Sequence, residues 1–129
     1  MTRQAWPLFA LLTLTACGEA PDRTYADVTN ATHDCGKEKK VAVNASGGSF
    51  TFTGPCASIA LNGANNTLTI ESANALDIKG DGNIVKIGAV DSVSVNGSQN
   101  KVAYKRGVTD IQPRSATTRG NNNDVRQGP

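Results

Sequence analysis

Between Ile59 and Tyr104 apolar and polar residues alternate in short runs, and the runs recur in a fixed register. Ile59/Leu61, Leu76/Ile78 and Val93/Val95 head successive blocks, and Leu68/Ile70, Val85/Ile87 and Val102/Tyr104 follow within each block. A period of two predicts strands with one buried face. Between the runs stands Gly-x-x-Asn: Gly63, Gly80 and Gly97 are 17 residues apart, and so are Asn66, Asn83 and Asn100. Glycine accepts positive φ, while asparagine tolerates the left-handed region and bonds nearby backbone, so the segment predicts a tight turn. Each repeat then reads as strand, turn, strand and return. A single coil has nothing against which to bury its apolar face, whereas stacked coils share a continuous core.

The expected architecture is all-β, a small single-domain β-solenoid (β-helix) of about five coils with a 17-residue repeat. The competing arrangement is a meander or up-and-down barrel. An odd period would send a meander's side chains to alternating faces unless each turn compensated, and parallel stacking needs no such correction. Five coils at ~4.8 Å per rung make a stub roughly 24 Å long. Val41/Val43 and Phe50/Phe52 form a variant first coil at an offset of 18, with Gly48 in place of the turn asparagine and Gly54-Pro55-Cys56 closing it. An atypical terminal repeat suits a cap. At the other end, Asp110-Ile111 is expected to open a degraded last coil and Gly120 to Val125 to finish it, as a polar outer cap with a frayed tail.

The N-terminus carries an address. Arg3 precedes the apolar run from Ala5 to Thr15, which is shorter than the ~20 residues that span a bilayer. The run ends in Leu14-Thr15-Ala16-Cys17, which resembles the lipobox of bacterial lipoproteins. That resemblance implies a signal peptide over 1–16, and acyl chains such as palmitate on Cys17. A flexible tether is expected over 17–33, then the repeat domain over 34–129. The implied place is the cell envelope: outer membrane or periplasmic face in a Gram-negative cell, otherwise the outer face of the cell membrane. With Cys17 lipidated, Cys35 and Cys56 remain of the three cysteines, and in an oxidising compartment a disulfide between them is the default. A redox or metal pair would want CxxC spacing or further ligands nearby, which the sequence does not place there.

Composition narrows the function. The 13 Lys and Arg are scattered among 11 Asp and Glu, and aromatics make up 5%, which gives no nucleic-acid footprint. Read by repeat position, Asp77 aligns with Ala60 and Ser94, Glu71 with Gly88 and Lys105, Asp91 with Asn74 and Val108, and Asp81 with Ala64 and Ser98. No position holds two acids, so the paired carboxylates of a glycosidase are not evident. The same alignment argues against calcium at Gly80-Asp81-Gly82-Asn83, which would need Asp in every coil. It also argues against an ice-binding threonine array, because Thr67 and Thr69 give way to Ile84/Lys86 and Lys101/Ala103. His33, the single histidine, is expected as an exposed or capping residue. Lys37-Glu38-Lys39-Lys40 reads as a solvated charge run. Asn66, Asn83 and Asn100 are expected to form a structural ladder with Gly63, Gly80 and Gly97 at the turns.

The lipobox, Asp34-Cys35, Gly54-Pro55-Cys56 and the recurring Val-x-Val-x-Gly-x-x-Asn-x-Val resemble the bacterial family catalogued as domain of unknown function 3060, over roughly Asp34 to Val125. The resemblance implies a secreted or lipid-anchored β-rich domain and adds no catalytic residue. The sequence as a whole leads to a non-catalytic envelope lipoprotein, a structural or interaction module. It is held to the membrane by its lipid, with an envelope protein or glycan as partner, and with no cofactor or metal. The alternative is a carbohydrate-active or carbohydrate-binding domain working on cell-wall glycans. Asp77, Lys79, Lys86 and Lys101, on outward positions, are where a binding face is to be sought.

Overall fold

A computed structural model describes residues 21–108, 113 and 115–128. The signal peptide, Cys17, Asp110 and Ile111 therefore lie outside the described residues. Among those described, every regular element is a strand: β1 (Arg23–Ala26), β2 (Asn30–Asp34), β3 (Lys40–Asn44), β4 (Ser49–Asn62), β5 (Thr67–Lys79), β6 (Ile84–Asn96), β7 (Lys101–Arg106), β8 (Ser115–Arg119) and β9 (Asp124–Gln127). Every pairing between them is parallel. The chain winds as a β-solenoid of about five turns.

Two ladders run along the solenoid. In the first, Arg23 stacks on Val41, Val41 on Ile59, Ile59 on Leu76, Leu76 on Val93 and Val93 on Ala116. In the second, Ala31 stacks on Phe50, then Leu68, Val85, Val102 and Val125. The long strands β4, β5 and β6 serve both ladders, bending between them; in β4 the register shifts between Phe52 and Pro55. That extra residue accounts for the 18-residue steps from Val41 to Ile59 and from Phe50 to Leu68, against 17 from Pro55 onward.

The alternation read from the sequence is the burial pattern. Ile59, Leu61, Leu68, Ile70, Leu76, Ile78, Val85, Ile87, Val93 and Val95 are all buried in one core. Each such side chain contributes ~1.5–3 kcal/mol relative to exposure, and identical positions stack directly on one another. Cys35 and Cys56 are both buried and joined by a disulfide, with Ala73 and Val90 following Cys56 in register.

Two expectations about the ends are corrected. The stretch expected as tether contributes a full coil: β1 and β2 pair with β3 and β4, so the solenoid begins near Arg23 rather than Asp34. Its inward residues are Tyr25, Ala31 and His33, and its turn uses Asp27 at φ 56° instead of Gly-x-x-Asn, so neither signature of the repeat is present. At the far end, the strand that stacks on residues 92–96 is Ser115–Arg119, a step of 23 residues from Val93 to Ala116. Its residues are exposed throughout, as suits the polar outer face that a terminal coil needs. The second half of that coil does fall where Val125 predicts it, in β9.

Candidate functional site

The repeated turn residues converge on one atom per coil. Asn83 Nδ2 donates to the carbonyl oxygen of Gly63 (3.0 Å), Asn100 Nδ2 to that of Gly80 (2.8 Å) and Asn66 Nδ2 to that of Ala45 (2.7 Å). The same oxygens occupy the space where a Cβ would sit on the next coil's glycine: that of Gly63 at Gly80, that of Gly80 at Gly97. These glycines have φ of 135° to 143°, where a side chain is strained in any case. Glycine and asparagine are thus two halves of one device: the first lets the coils approach, the second satisfies the carbonyl that the approach buries.

The asparagines also bond to one another. Asn83 Oδ1 accepts from the Asn66 backbone N–H (3.0 Å) and from Asn66 Nδ2 (3.2 Å), and Asn100 Oδ1 does the same for Asn83 (3.0 Å each). All three side chains are fully buried. Asn123 is a fourth member, accepting from Asn100 N–H and Nδ2 (3.1 Å each) and donating to the Gly97 carbonyl (2.8 Å). The Gly120-x-x-Asn123 spacing carried that signal, hidden by the longer step before it. At the start, Gly48 N–H takes the last acceptor, Asn66 Oδ1, at 3.0 Å. An asparagine there would collide with the ring of Phe50, which explains the missing residue in that coil. The left-handed conformation falls one residue before the ladder, at Gly47, Asn65, Gly82, Gln99 and Asn122 (φ 59° to 70°), and not on the ladder asparagines as the turn reading implied.

His33 is not exposed. It is buried in register with Phe52, and its Nε2 lies 2.8 Å from the Glu38 carbonyl and its Nδ1 2.9 Å from the Tyr25 hydroxyl. A carbonyl only accepts, so Nε2 carries a hydrogen and donates to it, and in the neutral ring Nδ1 is then the acceptor of the tyrosine hydroxyl. Tyr25 packs edge-on against His33 (5.7 Å between ring centres) and near Phe50 (6.3 Å), with the Arg23 guanidinium 5.4 Å from its ring centre. Both ring nitrogens are engaged in closing the N-terminal end of the core. The connector from β2 to β3 holds the lysine-rich run, pinned where Asp22 Oδ2 accepts from the backbone N–H of Lys39 (3.0 Å) and Lys40 (3.1 Å).

The carboxylates are dispersed. Asp77 stacks between Ala60 and Ser94, Asp34 beside Thr53 and Asp124 beside Lys101. Glu71 accepts from Gly54 N–H (3.0 Å) and Asp81 from Ser98 N–H (2.7 Å), so both brace backbone. Among the described residues, no group of three or more His, Cys, Asp or Glu is placed to hold a metal.

The outward residues sort onto two unlike faces. On the first ladder Ala42, Ala60, Asp77, Ser94 and Thr117 form one row, with Ser58, Ala75 and Ser92 beside it, giving a surface of small side chains. Asp77 Oδ1 is shielded there and makes no hydrogen bond. On the second ladder one row reads Asn30, Ser49, Thr67, Ile84, Lys101 and Asp124, and the next reads Thr32, Thr51, Thr69, Lys86, Ala103 and Arg126. Threonines do therefore align, through Thr32, Thr51 and Thr69. The row is threonine upstream of Thr69 and changes to Lys86 and Ala103 downstream of it, so the array spans three rungs and not the whole face. Of the four outward residues singled out from the sequence, Asp77 and Lys79 lie on the first ladder and Lys86 and Lys101 on the second.

Compared with known proteins, the chain has no match among curated proteins or solved structures. The family model described as "Protein of unknown function (DUF3060)" matches it twice, over residues 43–89 and 73–117. The overlapping matches cover more than half of the chain and take in the repeated Gly-x-x-Asn coils, and the chain belongs to the DUF3060 family.

Proposed function

We propose that the protein is a non-catalytic envelope lipoprotein whose solenoid is an interaction module carried on a lipidated Cys17. The observation that carries this reading is the use made of the recurring residues. The asparagines and glycines that define the repeat are consumed in closing one coil onto the next, and His33 and Tyr25 in closing the end. What varies from coil to coil is the outward surface, which suits recognition over an extended face more than chemistry at one point. The anchor fits the same picture. From Cys17 to Arg23 the chain reaches about 20 Å at full extension, which would keep the N-terminal coil close to the bilayer.

Mass spectrometry of membrane-extracted protein tests the anchor: acylated Cys17 at the mature N-terminus is expected, and a soluble chain with unmodified Cys17 refutes the lipoprotein. A turnover screen on glycan substrates tests the rest. Hydrolysis abolished by a single substitution such as Asp77→Asn would replace the interaction module with an enzyme.

A further inference from the structure

The second ladder's outer face changes character along its length. Toward the N-terminus it offers hydroxyls: Ser49, Thr67 and Thr69 are exposed and Thr51 half-exposed. Toward the C-terminus it becomes cationic. Lys86, Lys101 and Lys105 are exposed, they follow one another over two adjacent rungs, and none makes an ion pair with a described residue. Arg126 follows on the last rung, where it pairs with Asp124 at 3.2 Å. A depression of ≈ 160 Å³ is lined by Ile84, Lys86, Lys101, Ala103 and the Asp124–Arg126 pair, so three cations face one carboxylate there. Ile84 is 42% exposed and is the one large apolar side chain so displayed among the described residues.

We infer that this face binds an anionic glycan laid along the solenoid axis, with Lys86 and Lys101 at the centre of the site. Rungs ~4.8 Å apart present a row of side chains at a regular pitch on a flat sheet, which suits an extended repeating polymer. Unpaired lysines attract carboxylate or phosphate groups, and the adjoining threonine hydroxyls donate to and accept from sugar hydroxyls. Nucleic acid is a poorer fit, because no aromatic ring faces outward here to stack a base and Tyr104 is buried. A lipid surface is also a poorer fit, since a single exposed isoleucine buries little apolar area in a bilayer. The inference deepens the interaction-module reading and rests on it. Acylation of Cys17 is measured separately, so the anchor and the glycan site stand or fall independently.

The test is binding of the full-length chain carrying Cys17→Ser, so that no acyl chain contributes, to polygalacturonate as the anionic probe, with neutral dextran and phosphatidylglycerol vesicles alongside. Binding to polygalacturonate that weakens steeply with added salt is expected, with none to dextran. The pair Lys86→Glu and Lys101→Glu should reduce affinity at least ~10-fold, because it places like charge against the polymer. The pair Lys37→Glu and Lys39→Glu makes the same change in net charge on the β2–β3 connector and should alter affinity less than ~2-fold if position matters rather than long-range charge. Thermal melts of both pairs should match the parent, since all four side chains are exposed. The site is overturned by absence of polygalacturonate binding at low salt, by equal losses in the two pairs, or by binding to the vesicles and not to the glycan.

Discussion

Gly80 and Gly47 both have positive φ, yet the chain around them predicts opposite tolerance. At Gly80 (φ 135°) an added Cβ would fall on the Gly63 carbonyl oxygen, which Asn83 holds in place at 3.0 Å. Neither can yield without breaking the bond between coils. At Gly47 (φ 70°) an added Cβ meets nothing, and the same turn position is occupied by Asn65, Gln99 and Asn122 in later coils. Gly80→Ala should therefore lose about 3 kcal/mol or more, combining backbone strain with a buried carbonyl forced out of its hydrogen bond. Gly47→Asn should fall within ~1 kcal/mol of the parent, because a left-handed site open to solvent suits asparagine and the substitution narrows the unfolded ensemble. Denaturant melts of the two variants give the comparison. Similar losses in both would mean that left-handed strain alone, and not the interlocked carbonyl, dictates glycine at these turns.

At the scale of single strands, the disulfide decides which coil is secured. Cys35 follows β2 and Cys56 lies within β4, so the bond fastens the first coil to the second across 21 residues. Replacing both cysteines by alanine should cost roughly 3 kcal/mol in the chain-entropy account. The loss should be local at first, since coils of a solenoid contact only their neighbours. Amide exchange in β1 and β2 should accelerate well before that in β5 and β6, and uniform acceleration would mean that the coils unfold as one unit. The same strands mark the limits of sequence reading. Middle coils were legible because aliphatic alternation and Gly-x-x-Asn coincide there with a constant step. The first coil was not, because Tyr25, Ala31 and His33 fill its core positions and Asp27 makes its turn. Ser115–Arg119 was hidden for a different reason: at the solenoid's end its inward positions hold Ala116 and Thr118, whose exposure removes the need for an apolar residue. The outer faces were half legible. Lys86 and Lys101 could be named as outward and Lys86 aligned with Thr69 at the constant step, but the extension of that row to Thr32 needs β2, which carries neither signature of the repeat.

Considered whole, the molecule is a stack whose units are interchangeable to the extent that their register is. Thr67 stacks on Ile84, Leu68 on Val85 and Ile70 on Ile87, so residues 67–83 form one complete turn. Excising them joins Asn66 to Ile84 and sets Phe50 on Val85, Phe52 on Ile87 and the Gly63 carbonyl beneath Gly97. Asn100 would then serve Asn66 as Asn83 does now. The shortened chain keeps both cysteines, both ends and the lysines of the second ladder, and gives up one nearest-neighbour interface. Removing residues 67–82 instead leaves Asn83 in the place of Thr67, so Ile84 and Lys86 point into the core and Val85 and Ile87 point to solvent. A slip of one residue inverts every side chain of a strand. The 17-residue excision should retain β-type circular dichroism and a cooperative melt at lower temperature, whereas the 16-residue excision should lose the melt. Equal behaviour of the two would mean that the coils are held by backbone pairing with little regard to which side chains they bury, and would remove the core and the asparagine ladder as the determinants of this fold.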